Sequence, residues 1–267
     1  MTATGWSWDP LVLTALLVST WWYWTGLRAL RRSGLATRWQ PAAFAAAVGL
    51  TAVALVSPLD ALSEQLLSGH MVQHVLLTLV VAPLLVLSSP LQVMAWGLPP
   101  SPRRRIGRWQ GRVRRLLNHP SLPGVGLALF TVVFTAWHIP ALYDAALTSD
   151  PVHALEHTTM LASALALWAP IIRPRRSPAG AGVLLLFISL IASGILAALL
   201  VFSPTPWYAH PATADWGITR LADQQLAGAV MWVGGGTIHV VAGALVLTRW
   251  LHADARAIER HERAALR

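Results

Sequence analysis

HMVQHVLLTLVVAPLLVLSSPL, residues 70–91, opens with two histidines and runs on with no Asp, Glu, Lys or Arg. A helix of this length reaches across the roughly 30 Å hydrocarbon core of a bilayer at about 1.5 Å per residue. Lipid offers no partner for open backbone groups, so such a segment spans as a helix rather than as a lone strand. Pro83 lacks an N–H and is expected to kink this helix or interrupt its hydrogen-bond ladder.

Six further apolar runs lie on either side of it. The spacing predicts spans at about 10–30, 41–57, 70–91, 122–143, 152–172, 179–202 and 224–250, with a short interfacial helix over Leu59 to Leu67. The first run is long and followed by arginines, so it is expected to remain as a span rather than be cleaved as a leader. The connections are short and there is no internal repeat, which predicts one polytopic domain, residues 1–267, ending in a charged cytoplasmic tail over 251–267. Composition agrees. The chain is 55% hydrophobic, 12% charged and has a mean hydropathy of +0.54, against about 25% charged residues in an ordinary soluble domain. These values exclude a disordered chain and a soluble nucleic-acid-binding domain despite the net charge of +9. The lipid bilayer is the expected surrounding partner, and no nucleic acid is expected.

All 20 basic residues are arginine. They cluster after the first, third, fifth and seventh runs, at Arg28 to Arg38, Arg103 to Arg115, Arg173 to Arg176 and Arg249 to Arg267; Arg220 is the exception. Under the positive-inside tendency this alternation predicts an outer N-terminus and a cytoplasmic C-terminus. The expected fold is therefore an all-α integral membrane protein of seven transmembrane helices. Trp6 and Trp8 sit near one interface and Trp21, Trp22 and Trp24 near the other, as an aromatic belt would.

Ionisable groups inside spans are costly and point to function. His70 and His74 form an i,i+4 pair at the outer start of the third run, and His153 and His157 form another at the start of the fifth, with Glu156 between them. Residues four apart share a helix face. His138 lies near the outer end of the fourth run. His74 and His157 are four or five residues inside their helices, roughly 6–8 Å deep, and His138 reaches a similar depth. With no cysteine in the chain, metal chemistry falls to His, Met and carboxylates, and neutral imidazole binds copper, zinc and haem iron. Met71, Met160 and Met231 occupy outer halves of spans, where they serve either packing or Cu(I) ligation. Asp60, Asp144 and Asp223 sit at helix ends, placed either to orient ligand imidazoles or to cap helices. His239 follows Gly234-Gly235-Gly236, which permits close helix packing; it either bonds across a helix interface or belongs to a proton or metal path. His210 reads as solvated, and His119, His252 and His261 as cytoplasmic surface residues. The string His153-Ala154-Leu155-Glu156-His157 also matches the inverted zinc-peptidase pattern, and histidines on different helices could ligate b haems.

Several stretches together resemble a known family. Ser57-Pro58-Leu59-Asp60, His70-Met71-Val72-Gln73-His74 leading to Ala82-Pro83-Leu84-Leu85, Trp137-His138-Ile139-Pro140 with Tyr143, His153 to His157, and Asp223-Gln224-Gln225-Leu226-Ala227-Gly228 with Met231-Trp232 are similar to the CtaG family of cytochrome c oxidase assembly factors, the Bacillus-type multi-span group. The resemblance covers about residues 10 to 250. It implies a non-enzymatic metal chaperone of the respiratory chain that binds copper at the outer face and aids its insertion into cytochrome c oxidase, whose subunits would be partners. On this match His70, His74, His138 and His157 are the expected ligands, with His153, Glu156 and Met71 in the same metal set and Asp60 and Asp223 as supports. The alternatives are a copper transporter of the inner membrane, which would need a polar path through His239, and, behind it, a membrane haem-binding protein or an HxxEH metallopeptidase.

Overall fold

The computed structural model describes residues 5–116, 122–173, 180–209 and 216–265. His119, Arg175, Arg176, His210, Asp215, Arg267 and the start of the expected sixth span at residue 179 lie outside them. Every regular element among the described residues is helical: α1 (Pro10–Arg32), α2 (Trp39–Leu55), α3 (Pro58–Ser63), α4 (Leu67–Val75), α5 (Ala82–Ser88), α6 (Pro90–Trp96), α7 (Pro100–Leu116), α8 (Leu122–Trp137), α9 (Pro140–Thr148), α10 (Asp150–Ile172), α11 (Ala181–Phe202), α12 (Arg220–Ala229) and α13 (Gly236–Ala265). Two π-helical turns, Leu76–Val81 and Val230–Gly235, join α4 to α5 and α12 to α13.

Among the described residues, four helical stretches are long and apolar enough to cross a bilayer: Leu67–Trp96, Asp150–Ile172, Ala181–Phe202 and Arg220–His252. A fifth is broken, with Pro123–Trp137 and Pro140–Thr148 meeting at 71°. The expected span over 122–143 is a bent pair of helices. Pro140 cannot donate to the ladder and disfavours helix at the residue before it, so Ile139 turns extended with ψ 126°. Helix α2 fills the expected second run but has only 17 residues. Helix α1 fills the first with 23 residues; threonines, a Trp-rich stretch and Arg28, Arg31 and Arg32 dilute its apolar character, and it falls outside the crossing set. The expected interfacial helix survives as the six residues of α3, where Ser57 caps the N-terminus through its hydroxyl.

Pro83 is absorbed into the π turn. Ala82 N–H bonds back to Leu77 O, an i+5 step; the same step from Thr78 would require an N–H on Pro83. Trp168 Nε1 on α10 donates to Thr78 O instead, at 3.0 Å. An inserted side-chain donor of this kind is how a proline is tolerated in a buried helix. The break comes later, at Ser89, with left-handed φ of 54°. Arg173 closes that end by donating to Val86 O and Ser89 Oγ, as cations do at helix C-termini.

The arginine-rich stretch after the third run is helical rather than a loop. Arg104, Arg105, Arg108 and Arg112 are exposed on α7, and Arg103 stacks over Trp96 at 4.6 Å. The glycine triplet is not a close-packing seam either. A Cβ at Gly234 would meet nothing within 4 Å; Gly234 and Gly235 lie in the second π turn. Close approach occurs at Gly126, where a Cβ would sit 2.5 Å from Ala166 O, and at Gly228, where it would sit 2.9 Å from Ala197 O. These contacts pack α8 on α10 and α12 on α11, the helices around the histidine cluster.

Candidate metal centre

Helix α4 begins without a cap of its own: Leu66 provides no side-chain bond. Asp223 of α12 supplies it, accepting from Leu67 N at 2.7 Å, Ser68 N at 3.1 Å and Ser68 Oγ at 2.6 Å. First-turn N–H groups need such an acceptor when buried, and Asp223 is fully buried. One turn further on, His70 and His74 project on one face toward α10. Helix α10 returns His153, Glu156 and His157 from its own N-terminal turns, with Pro151 in its first positions and Asp150 at its positive end.

Ligand atoms of His70, His74, Glu156 and His157 lie within 4.8 Å of one another. Glu156 is 0% exposed, with Oε2 3.5 Å from His70 Nε2 and Oε1 3.5 Å from His74 Nε2. Those separations are at the outer limit for hydrogen bonds. Both nitrogens of His74, Nε2 of His157 and both oxygens of Glu156 are buried without a hydrogen-bond partner. Buried polar atoms are almost always satisfied by protein, water or an ion, so this concentration fits a cation in the centre. Three imidazoles and a carboxylate match the borderline donor set of copper or zinc.

The other expected ligands flank this quartet. The His153 ring stacks on His70 at 5.3 Å and meets His157 at 4.4 Å. The His138 ring is 6.3 Å from His74. Its Nδ1–H donates to Phe134 O at 2.7 Å, which leaves Nε2 as the nitrogen available to a metal; Nε2 is buried and unbonded. Met71 packs with Leu67, Tyr143 and Met231 in an apolar cluster, and also borders a small cavity on the far side of His74.

Asp223 and Asp60 accept hydrogen bonds from backbone, hydroxyl and amide donors. Asp223 caps α4. Asp60 accepts from Gln73 Nε2 at 2.9 Å, and the same nitrogen donates to Ala54 O at 2.7 Å. Burial pushes the Asp60 carboxyl above the usual carboxylate range, and hydrogen bonds from Ser7 and Gln73 pull it back. Asp144 accepts from Ala209 N at 3.3 Å. His239 bonds across a helix interface, with Nδ1 2.8 Å from Gly235 O and Nε2 3.1 Å from Ser189 Oγ. Two positioning residues escaped the sequence reading. Tyr208 donates to His138 O at 2.8 Å, and Gln224 accepts from Trp207 N at 2.6 Å while donating to Leu200 O. Tyr208 has no local signal in the sequence; Gln224 directly follows Asp223.

The sequence matches the family described as cytochrome c oxidase caa3 assembly factor over residues 21–253. The chain belongs to this assembly-factor family. The match takes in every histidine of this cluster, together with Glu156, Asp223 and both π turns. Two uncharacterised mycobacterial proteins, from Mycobacterium bovis and Mycobacterium tuberculosis, are each 26% identical over 281 residues, covering 98% of this chain and 42% of the relative. The chain thus spans less than half the length of these curated relatives. No solved structure is significantly similar to it.

Proposed function

We propose that this chain holds copper at the His70–His74–Glu156–His157 centre and aids its insertion into cytochrome c oxidase. The observation that carries the reading is the convergence of four donor atoms within 4.8 Å at a site where Glu156 and His74 have no hydrogen-bond partner. Copper is the cargo, and His70, His74 and His157 would hold it by ring nitrogens with Glu156 neutralising its charge. Imidazole suits copper, and among divalent first-row metals copper binds nitrogen and oxygen sites tightest. His138 and His153 stand beside the quartet as exchange ligands. Membership of the assembly-factor family supplies the oxidase as recipient.

α1 and α2 join the four long helices and the bent pair as seven crossings of the plasma membrane, with the N-terminus outside, the arginine clusters in the cytoplasm and the metal centre near the outer face. The donors converge on a point rather than facing each other across a plane, which favours a bare ion over haem. Glu156 lies 3.5 Å from both His70 and His74, within the ligand group rather than apart as a general base, which favours a carrier over a peptidase.

The test is oxidase maturation in a strain lacking this gene. Wild-type protein restores assembled, copper-loaded oxidase; His74→Ala and His157→Ala, produced at normal membrane levels, leave the oxidase without copper. Full maturation with both variants would contradict the proposal.

A further inference from the structure

Below the quartet, toward the middle of the bundle, is a cavity of about 20 Å³. That is room for a single water-sized occupant. Its lining includes Met71, His74, Met231 and His239, closed by Phe130 and Phe134. Both π-helical turns border it, one through Thr78 and Leu79, the other through Met231 and Gly235. π turns interrupt the regular ladder at a cost and concentrate at functional sites. Here two of them, on different helices, meet at one cavity.

The polar groups on its wall are poorly arranged for water, which needs two to four partners. Thr78 Oγ1 already donates to His74 O, and Ser193 Oγ to Ser189 O. Both ring nitrogens of His239 have partners. His74 Nδ1 is buried and does not. What the cavity offers beyond that is two thioethers on facing helices, fully or nearly buried, with Met71 at 1% and Met231 at 6% exposure.

The geometry points to a second metal subsite, a Cu(I) position held by Met71, Met231 and His74. Two thioethers and an imidazole form a soft set that suits Cu(I), in contrast to the harder nitrogen and oxygen set above. His74 can serve either, one at a time, because a neutral imidazole has a single lone-pair nitrogen. Its Nε2 lies 3.5 Å from Glu156 in the upper centre, while its side chain lines the cavity below. A cation buried in lipid needs a counter-charge, and Glu156 provides it from across the His74 ring. This subsite rests on the copper reading of the upper centre, and its test separates the two.

The experiment is X-ray absorption at the copper edge on full-length selenomethionine-labelled protein in detergent, loaded anaerobically with Cu(I). Replacing sulfur by selenium marks the thioethers without changing the fold. Copper–selenium scattering is expected, and it is expected to vanish in Met71→Leu/Met231→Leu, which preserves side-chain volume and keeps the nitrogen- and oxygen-bound copper of the upper centre. Copper bound through nitrogen and oxygen alone in the labelled wild type would overturn the subsite and leave the upper centre standing. Selenium scattering that persists in the double variant would place the ligands at other methionines and overturn it too. No copper at all would overturn the subsite and the upper centre together.

Discussion

Asp223 accepts hydrogen bonds from both the backbone N–H and the hydroxyl of Ser68, 155 residues earlier in the chain. This one carboxylate fixes the start of the helix that carries His70 and His74 onto α12. Asp223→Ala removes the acceptor and leaves Leu67 N, Ser68 N and Ser68 Oγ buried without it. A loss of about 2 kcal/mol or more is expected from a lost cap plus unsatisfied donors. Thermal unfolding in detergent checks this, with Asp223→Asn, which keeps one acceptor oxygen, expected to recover part of the loss.

Glu156→Gln separates metal holding from folding. The substitution removes the charge that neutralises a cation, so copper affinity is expected to fall at least tenfold, the scale seen when partners of a metal site are removed. The metal-free variant is expected to melt no lower than wild type, because the buried oxygens of Glu156 make no hydrogen bond and an amide can donate to the neighbouring imidazoles. Competition titration against a chromophoric copper chelator and a melt of the metal-free protein provide the two readings.

Much of this centre was legible in the sequence. The two i,i+4 pairs and Glu156 follow from helical periodicity alone, because residues four apart share a face whatever the tertiary fold. Which faces meet did not follow. The quartet exists because the side chains of His70 and His74 on α4 meet those of Glu156 and His157 on α10, and nothing local to residues 67–75 encodes that. Asp223 was legible as a helix-end carboxylate, but its partner Ser68 was not. Pro83 announced a disturbed ladder, but the donor that fills the gap at Thr78 O is Trp168, 90 residues further along the chain than Thr78. The bend at Pro140 was readable from the rule for residues before proline and was overridden by the apolar run continuing to Tyr143. The arginine run at Arg103 to Arg115 lies on a helix, which its charge alone does not reveal.

Asp60 links pH to stability at the rim of the site. Its carboxyl is held above the usual range chiefly by burial, so the folded state binds the proton more tightly than the unfolded chain. That contribution is fully present below the ordinary carboxylate value of about 4 and is lost as pH rises through the folded value. Acidification from neutrality toward about pH 4 is therefore expected to bring a stabilising increment from this group. Asp60→Asn, which keeps an acceptor for Gln73, is expected to remove the increment. Melting midpoints of wild type and variant across that interval measure the difference.

The absence of cysteine makes the topology directly testable by single-cysteine labelling. Thr148 and Ser101 are both exposed and fall on opposite sides of the proposed membrane. In intact cells a membrane-impermeant maleimide is expected to label Thr148→Cys and to spare Ser101→Cys until the membrane is opened. The reverse pattern would invert the orientation and move the metal centre to the cytoplasmic side.

Copper per chain shows whether His70, His74, Glu156 and His157 hold the metal as proposed. Purified protein would be loaded with copper, desalted and analysed for metal beside a His74→Ala/His138→Ala/His157→Ala variant of matched fold. At least about one ion is expected to stay with each wild-type chain, consistent with a preformed site, and to be lost from the variant. Equal copper in both proteins, or none in either, would contradict it.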